Sequence, residues 1–339
     1  MSAPARRGVA VFGTTLEAMS AAGEAVDEAG FDAVWTSELY NRSATVTLAA
    51  IAPRTSRAQI GSGIIYGVGR SPLMLAAEAR DLDELSGGRF ILGVGNGTRR
   101  MISDWHGLDG DAPALRMEEL VPLVRQVWNL AEAPIDHEGR FYKLKLRALD
   151  ESAGVPERQV PIYTAGVGPR MIESAGRVAD GLLAHTMCAP RYLEDIALPA
   201  VEKGAARTGR DPGEVAIATY ALACASADAE QARREAAGMI AFYGTVKSYA
   251  TVFEHCGFGA EAAAIQETFA QRDLKAMVGA VSEPMIDEFA AAGTPQEVDA
   301  KLRRYDGVVD EVVLSVPSFQ VSDERVAENL ALLTRECAP

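Results

Sequence analysis

The chain has 339 residues, with 33 lysines and arginines against 47 aspartates and glutamates, a net charge of −14. So acidic a chain gains nothing from counterion release on nucleic acid and is disfavoured on anionic membranes, so neither is expected as a partner. Nearly half of the residues are hydrophobic, ample for a large core, and the length suits one α/β barrel or two ordinary domains. The cysteines Cys188, Cys224, Cys256 and Cys337 lie far apart without a CxxC pair. That spacing predicts neither a metal site nor a disulfide framework. The first seven residues carry two arginines with no apolar run behind them, and no stretch of about 20 apolar residues follows. A soluble cytoplasmic protein is expected.

Residues 8–13 form a short apolar run ending in glycine and predict a buried strand. Thr14 or Thr15 can cap a helix that closes at Gly30, and residues 31–37 read as a second strand, completing a βαβ unit. The polar cluster Glu38, Leu39, Tyr40, Asn41 and Arg42 follows. It is either a solvated loop or, past the C-terminal end of a barrel strand, part of an active face. An apolar helix over 45–52 stops at Pro53. Residues 59–66 form a third strand whose Gly61 and Gly63 call for a bulge or a close ligand approach.

A flexible loop, 67–72, leads to a helix over 73–85 whose tail carries Asp81, Asp83 and Glu84 against the dipole preference. Residues 90–98 are a fourth strand ending in Gly93, Gly95, Asn96, Gly97 and Thr98. A loop with Trp105 and His106 is expected over 101–113, then a helix over 115–130 and a polar loop over 149–159. Residues 160–165 are the fifth strand, running into Gly166-Val167-Gly168-Pro169-Arg170. Pro169 suits a first helical position, and the glycines strip the turn of side chains. The free N–H groups behind such a turn suit a phosphate, and Arg170 adds charge; an ordinary strand-to-helix turn has the same residues. Neither 93–98 nor 166–171 completes GxGxxG, because Thr98 and Met171 stand where the third glycine belongs, so a Rossmann reading is weak.

Helices over 171–179 and 192–208 alternate with strands over 180–185 and 214–222. Residues 230–292 hold only helical patterns and predict a helical insertion. Thr294-Pro295-Gln296-Glu297 is a capping box opening a helix. A strand over 309–316 and a closing helix over 323–337 complete eight strands separated by helices. That count and length describe a single-domain (β/α)8 TIM barrel, with the insertion after strand 7 and every glycine-rich cluster at a strand's C-terminal end.

The chain resembles the bacterial luciferase-like monooxygenase superfamily. Within it, it resembles the coenzyme F420 (deazaflavin) branch of methylene-tetrahydromethanopterin reductases. The resemblance rests on Trp35-Thr36-Ser37-Glu38-Leu39-Tyr40-Asn41, on Ile60-Gly61-Ser62-Gly63-Ile64, and above all on the run from Leu82 through Ser86-Gly87-Gly88-Arg89 to Gly97. It implies a flavin- or deazaflavin-dependent oxidoreductase, a small-molecule substrate and a homodimer. It implies that Gly166, Val167, Gly168, Pro169 and Arg170 hold the cofactor phosphate, with Ala165 beside them also at the cofactor. Gly63, Ile64 and Ile65 would form a bulge behind the ring, with a non-prolyl cis peptide at Gly63–Ile64. Gly95, Asn96, Gly97 and Thr98 would line the pocket, and Glu38, Tyr40 and Asn41 would face ring or substrate, with Glu38 or Tyr40 delivering a proton. Leu39 stands where alcohol-oxidising members of the group have histidine, which disfavours alcohol oxidation. The expected reaction is hydride transfer from reduced F420 to a C=C, C=N or C=O acceptor. An FMN-dependent monooxygenase and a non-catalytic flavin-binding protein are the alternatives.

Overall fold

Parallel strands covered by helices are buried on both faces and so read as short continuous apolar runs. The strands of this chain follow that rule in the computed structural model, which describes residues 3–149 and 158–339. In chain order they are β1 (Arg6–Ala10), β2 (Ala33–Thr36), β3 (Gln59–Ser62), β4 (Ile65–Tyr66), β5 (Phe90–Gly95), β6 (Ile135–Glu138), β7 (Lys143–Leu146), β8 (Ile162–Gly166), β9 (Gly181–Ala184), β10 (Ala216–Ala225), β11 (Ala290–Gly293) and β12 (Glu311–Ser315). The helices are α1 (Leu16–Glu28), α2 (Ala44–Ile51), α3 (Pro72–Leu85), α4 (Arg99–His106), α5 (Pro113–Trp128), α6 (Pro169–Val178), α7 (Pro190–Tyr192), α8 (Leu198–Thr208), α9 (Ala229–Gly244), α10 (Ala250–His255), α11 (Gly259–Ala270), α12 (Leu274–Gly279), α13 (Glu283–Phe289), α14 (Pro295–Leu302) and α15 (Asp323–Glu336).

The parallel ring runs β1-β2-β3-β5-β8-β9-β10-β12 and back to β1. It is a closed eight-strand (β/α)8 barrel, as the alternation of strands and helices predicts. The first half of β10 pairs with β9, at Ala216↔Gly181, and its second half with β11, at Leu222↔Ala290. Outward-facing residues such as Val9, Val34, Ile60, Leu92 and Ile162 pack on the helices in one large core.

Three elements depart from the sequence reading. Residues 230–292 are not helical throughout: the insertion ends with α13, and Ala290–Gly293 is a parallel strand. Three alanines and a glycine carry no strand propensity of their own; β11 forms by hydrogen bonding to the C-terminal half of β10, beyond its pairing with β9. The loop expected from Met101 begins instead as the helix α4, capped by Thr98 and closed by Gly107 at φ 64°. Residues 135–146 form a separate antiparallel hairpin, tied to α5 through Glu119, which accepts from the N–H groups of Phe141 and Tyr142. The polar loop expected over 149–159 lies largely outside the described residues. The capping box at Thr294 and Glu297 forms as its spacing predicts.

The Ser86-Gly87-Gly88-Arg89 turn has a structural task. Gly87 and Gly88 both take positive φ, bringing Arg89 back under the barrel wall. Its guanidinium donates to the carbonyls of Ser86, Ala52, Thr55 and Ala58 and to the Thr55 hydroxyl, at 2.6–3.2 Å. One cation thus satisfies the frayed end of α2, the start of β3 and the end of α3. The acids at the α3 C-terminus also find a partner, since Asp83 ion-pairs with Arg158. Replacing Arg89 by methionine strands several of these acceptors. Arg89→Met is expected to lose on the order of 3 kcal/mol, read as a lower urea midpoint with an unchanged slope.

Candidate functional site

Alternation along the strands sends Trp35, Ile91, Tyr163, Leu183, Tyr220 and Val313 into the barrel lumen, where they form one buried cluster. Three rings dominate it, each against a glycine. A Cβ on Gly61 would lie 2.5 Å from the Trp35 ring, one on Gly181 would lie 2.6 Å from Tyr163, and one on Gly63 would overlap the Tyr220 hydroxyl. The glycine at 61 therefore makes room for an indole. At the floor, Trp35 Nε1 donates to Oε1 of Glu311 at 2.6 Å. Burial pushes that fully enclosed carboxyl above its ordinary range, with Arg6 3.3 Å from its other oxygen.

Above the rings the wall opens. After Ser62 the third strand leaves the ladder, and the Gly63–Ile64 peptide is cis, at the bond the resemblance indicates. The Ser62 hydroxyl bridges the gap, bonding to both the N–H (2.9 Å) and the C=O (2.8 Å) of Gly93. Gly63 N–H donates to Thr36 O at 2.7 Å, and Glu38 N–H donates to Ile64 O at 3.0 Å. The Gly63 carbonyl accepts from the hydroxyls of Ser37 and Tyr220. Ile64 lies over Gly95, where a Cβ would be 2.5 Å from Ile64 Cδ1 and 3.2 Å from Ala165. The structure thus brings Gly63, Ile64, Gly95 and Ala165 together at the C-terminal rim.

Other expected site residues point elsewhere. Ile65 is buried outward in the helix-facing core. The Asn96 amide donates to Pro113 O at 3.0 Å, tying the end of β5 to α5. The Thr98 hydroxyl caps α4, and Gly97, at φ 72°, is exposed beside Tyr66.

Glu38, Tyr40 and Asn41 line a rim cleft of about 470 Å³ with Tyr66, Arg70, Trp105 and His106. Each carboxylate oxygen of Glu38 accepts from Arg70 at 2.7 Å, and Arg70 also binds Glu78 at 2.9 Å. Oε1 further accepts from Tyr66 N–H at 3.3 Å. Both oxygens are thus committed to holding the loop, an arrangement suited to a buttress rather than a proton donor. Burial, then the Glu38 charge, pushes the Tyr66 phenol up to about 12. Tyr40 is 82% exposed, edge-on to Trp105. A second cleft, about 500 Å³, lies at the opposite end of the barrel beside Pro161 and Asp180, away from every glycine-rich strand end.

The helix starts around the rim differ in one respect. Thr15, Ser43, Ser71, Thr98, Asp228, Thr294 and Ser322 cap α1, α2, α3, α4, α9, α14 and α15 with side-chain oxygens. The helices after β8 and β9 have Gly168 and Ala189 at that position and no side-chain cap, and α5, which follows Ala112, has none either. At α6 the N–H groups of Gly168 and Arg170 have no protein partner among the described residues. A Cβ on Gly168 would meet nothing within 4 Å, and Arg170 is exposed beside it. The missing cap leaves unpartnered N–H groups at the turn where the sequence motif leads one to expect an anion.

Sequence reasoning missed Ser37, Arg70, Tyr220 and the group His185, Tyr243 and Tyr249. His185 ends a strand, which is a usable signal; nothing in the local pattern marks the tyrosines of the insertion. Among the described residues no three His, Cys, Asp or Glu side chains gather as a metal site, and no helix is long and apolar enough to cross a membrane.

Residues 1–311 match the family model described as luciferase-like monooxygenase. An uncharacterized protein of Mycobacterium tuberculosis is 34% identical over 313 residues, covering 88% of this chain and 89% of its own. The 5,10-methylenetetrahydromethanopterin reductase of Methanolobus tindarius is 32% identical over 295 residues, covering 86% and 87%. The solved coenzyme F420-dependent tetrahydromethanopterin reductase of Methanopyrus kandleri superposes with a TM-score of 0.80 at 26% identity, over 99% of this chain and 98% of that one.

The Glu38–Arg70 pair makes its own prediction. Arg70→Met leaves the buried Glu38 carboxylate without its charged partner and should cost about 3 kcal/mol, whereas the double replacement Glu38→Leu with Arg70→Met should recover most of it. Urea midpoints of the two variants check this.

Proposed function

The chain belongs to the luciferase-like monooxygenase family, and on that footing we propose that it is an F420-dependent reductase. Its reaction is hydride delivery from reduced deazaflavin to an electron-poor C=C, C=N or C=O of a small molecule. As part of the same reading it works in the cytoplasm as a homodimer. The observation that carries the proposal is the bare start of α6, directly after β8, where Gly168 stands in place of the Ser, Thr or Asp that caps seven other helices. That gap fits a cofactor phosphate: two backbone N–H groups lack partners, no side chain fills the space, and Arg170 is alongside. The solved Methanopyrus kandleri reductase, which spans nearly the whole chain and is named as coenzyme F420-dependent, favours deazaflavin over FMN.

In this reading Gly166, Val167, Gly168, Pro169 and Arg170 hold the phosphate, and Gly63, Ile64, Gly95 and Ala165 form the wall for the ring. The bound cofactor supplies the hydride; the protein supplies position and a polar surround. Glu38 keeps the Tyr66–Arg70 rim in place, and Tyr40 and Asn41 meet the substrate at its exposed edge. Leu39, 44% exposed at that edge, has no atom to accept a proton from an alcohol, which supports reduction over alcohol oxidation.

The binding test is direct. Equilibrium titration should give tight binding of F420 and weak binding of FMN, with no oxygen consumption by the reduced complex above background. Tight FMN binding without F420 binding sinks the proposal. Gly168 has φ −80° and ψ 152°, open to any residue, so Gly168→Asp should cap α6 and stabilise the fold by about 0.3 kcal/mol. The same carboxylate occupies the anion site, so this variant should melt higher than the parent and lose cofactor binding.

A further inference from the structure

His185 follows β9 on the lumen side, two residues after Leu183, which belongs to the lumen cluster. It is half-buried where the barrel meets the insertion. Its Nδ1 accepts from the backbone N–H of Met187 at 3.2 Å. A ring nitrogen that accepts cannot carry the hydrogen, so the network assigns the hydrogen of the neutral imidazole to Nε2. Nε2 lies 2.9 Å from the hydroxyl of Tyr249. The Tyr249 ring stacks on the imidazole at 4.4 Å, and Tyr243 from α9 meets it edge-on at 4.6 Å.

This geometry fixes the direction of the hydrogen bond. Nε2–H donates to the phenol oxygen, so the phenol hydrogen is left to donate elsewhere. Among the described residues it has no acceptor. The groups that face Tyr249 are His185, Tyr243, Cys188 and Tyr66, none of them a cation. Burial and these neighbours push the phenol above its ordinary range, and burial pushes the imidazole down to about 3. The pair is therefore neutral throughout the working pH range, and its outward face is a donor.

We propose that Tyr249, oriented by His185, is the hydrogen-bond donor of the barrel mouth, and that it binds the substrate oxygen or nitrogen on which negative charge develops during reduction. This rests on the reductase reading and adds to it the substrate class: carbonyl, imine or enone, each with an acceptor atom next to the reacting carbon. An isolated alkene has no such atom and is excluded. Tyr249 touches the substrate, and His185 is a positioning residue that acts through it. A preorganised donor of this kind stabilises the charge that forms rather than the neutral ground state.

Two readouts on the full chain test the assignment. In 15N–1H NMR of the protein without cofactor, His185 should hold the Nε2–H tautomer from pH 8 to about 4. The unfolded chain takes up that proton near 6.5 and the folded one near 3, so the contribution of His185 to stability is full above 6.5 and is lost as pH falls toward 3. With reduced deazaflavin and cyclohex-2-enone, Tyr249→Phe should lower kcat by about 10²-fold while cofactor Kd stays as in the parent. His185→Gln, whose amide N–H can still donate to the phenol oxygen, should lower kcat less than Tyr249→Phe, and His185→Ala, which cannot, should lower it as much, with cofactor Kd parental in both. A His185 that titrates near 6.5, or a Tyr249→Phe variant with parental kcat, overturns the assignment. Failure of deazaflavin to bind sinks the reductase reading alone; the imidazole readout and the same kcat comparison with reduced FMN still decide Tyr249.

Discussion

The lumen of an eight-strand barrel is just wide enough for side chains, and here three of them are aromatic rings. Trp35, Tyr163 and Tyr220 fit only because Gly61, Gly181 and Gly63 stand opposite. The indole reaches the floor and is held there by Glu311. With the lower lumen filled and the floor closed, only the strand ends are left for a ligand. Tyr220 then meets the Gly63 carbonyl from below, so the same packing that fills the barrel also supports the bulge above it. The site is shallow because the core beneath it is rigid.

Around that shallow mouth the protein uses hydrogen-bonding groups unequally. Seven helix starts are closed by their own side chains, and the loop after β2 is closed by the Glu38–Arg70 pair. Two neighbouring helix starts, after β8 and β9, are left without caps. One further group, the Tyr249 hydroxyl, has a hydrogen with no acceptor among the described residues. These open valences lie on the β8–β10 side of the barrel, while the closed ones hold the rest of the rim still. In the proposed reductase, a ligand here meets backbone N–H groups at one end and a phenol at the other.

The barrel was legible because each parallel strand is a short apolar run bounded by glycine, proline or a capping residue, and the signals recur eight times. The bare turn into α6 was legible for the same reason, since Gly166, Gly168 and Pro169 are local backbone chemistry. What stayed hidden was whatever depends on a partner distant in sequence. β11 is four small residues made into a strand by β10. The His185–Tyr249 pair joins residues 64 apart. Glu38 reads as a candidate acid until Arg70, 32 residues on, is seen to hold both its oxygens. Gly61 reads as a ligand approach until the Trp35 ring is placed against it. Local pattern identifies residue types that can do chemistry; burial and pairing decide which are already committed.

The Arg89 cage separates kinship from chemistry. The run ending in Arg89 is among the features that tie this chain to its relatives, yet each of its five bonds goes to the barrel's own backbone or the Thr55 hydroxyl. A descendant that had lost its cofactor altogether would still need that cage to close the turn between α3 and β5, and would still be recognised by it. If the start of α6 holds the cofactor phosphate as proposed, decay of function would be written there instead, in a serine or aspartate at position 168. On that proposal, the residue that best tells a working member from a fossil of the fold is a glycine that touches almost nothing.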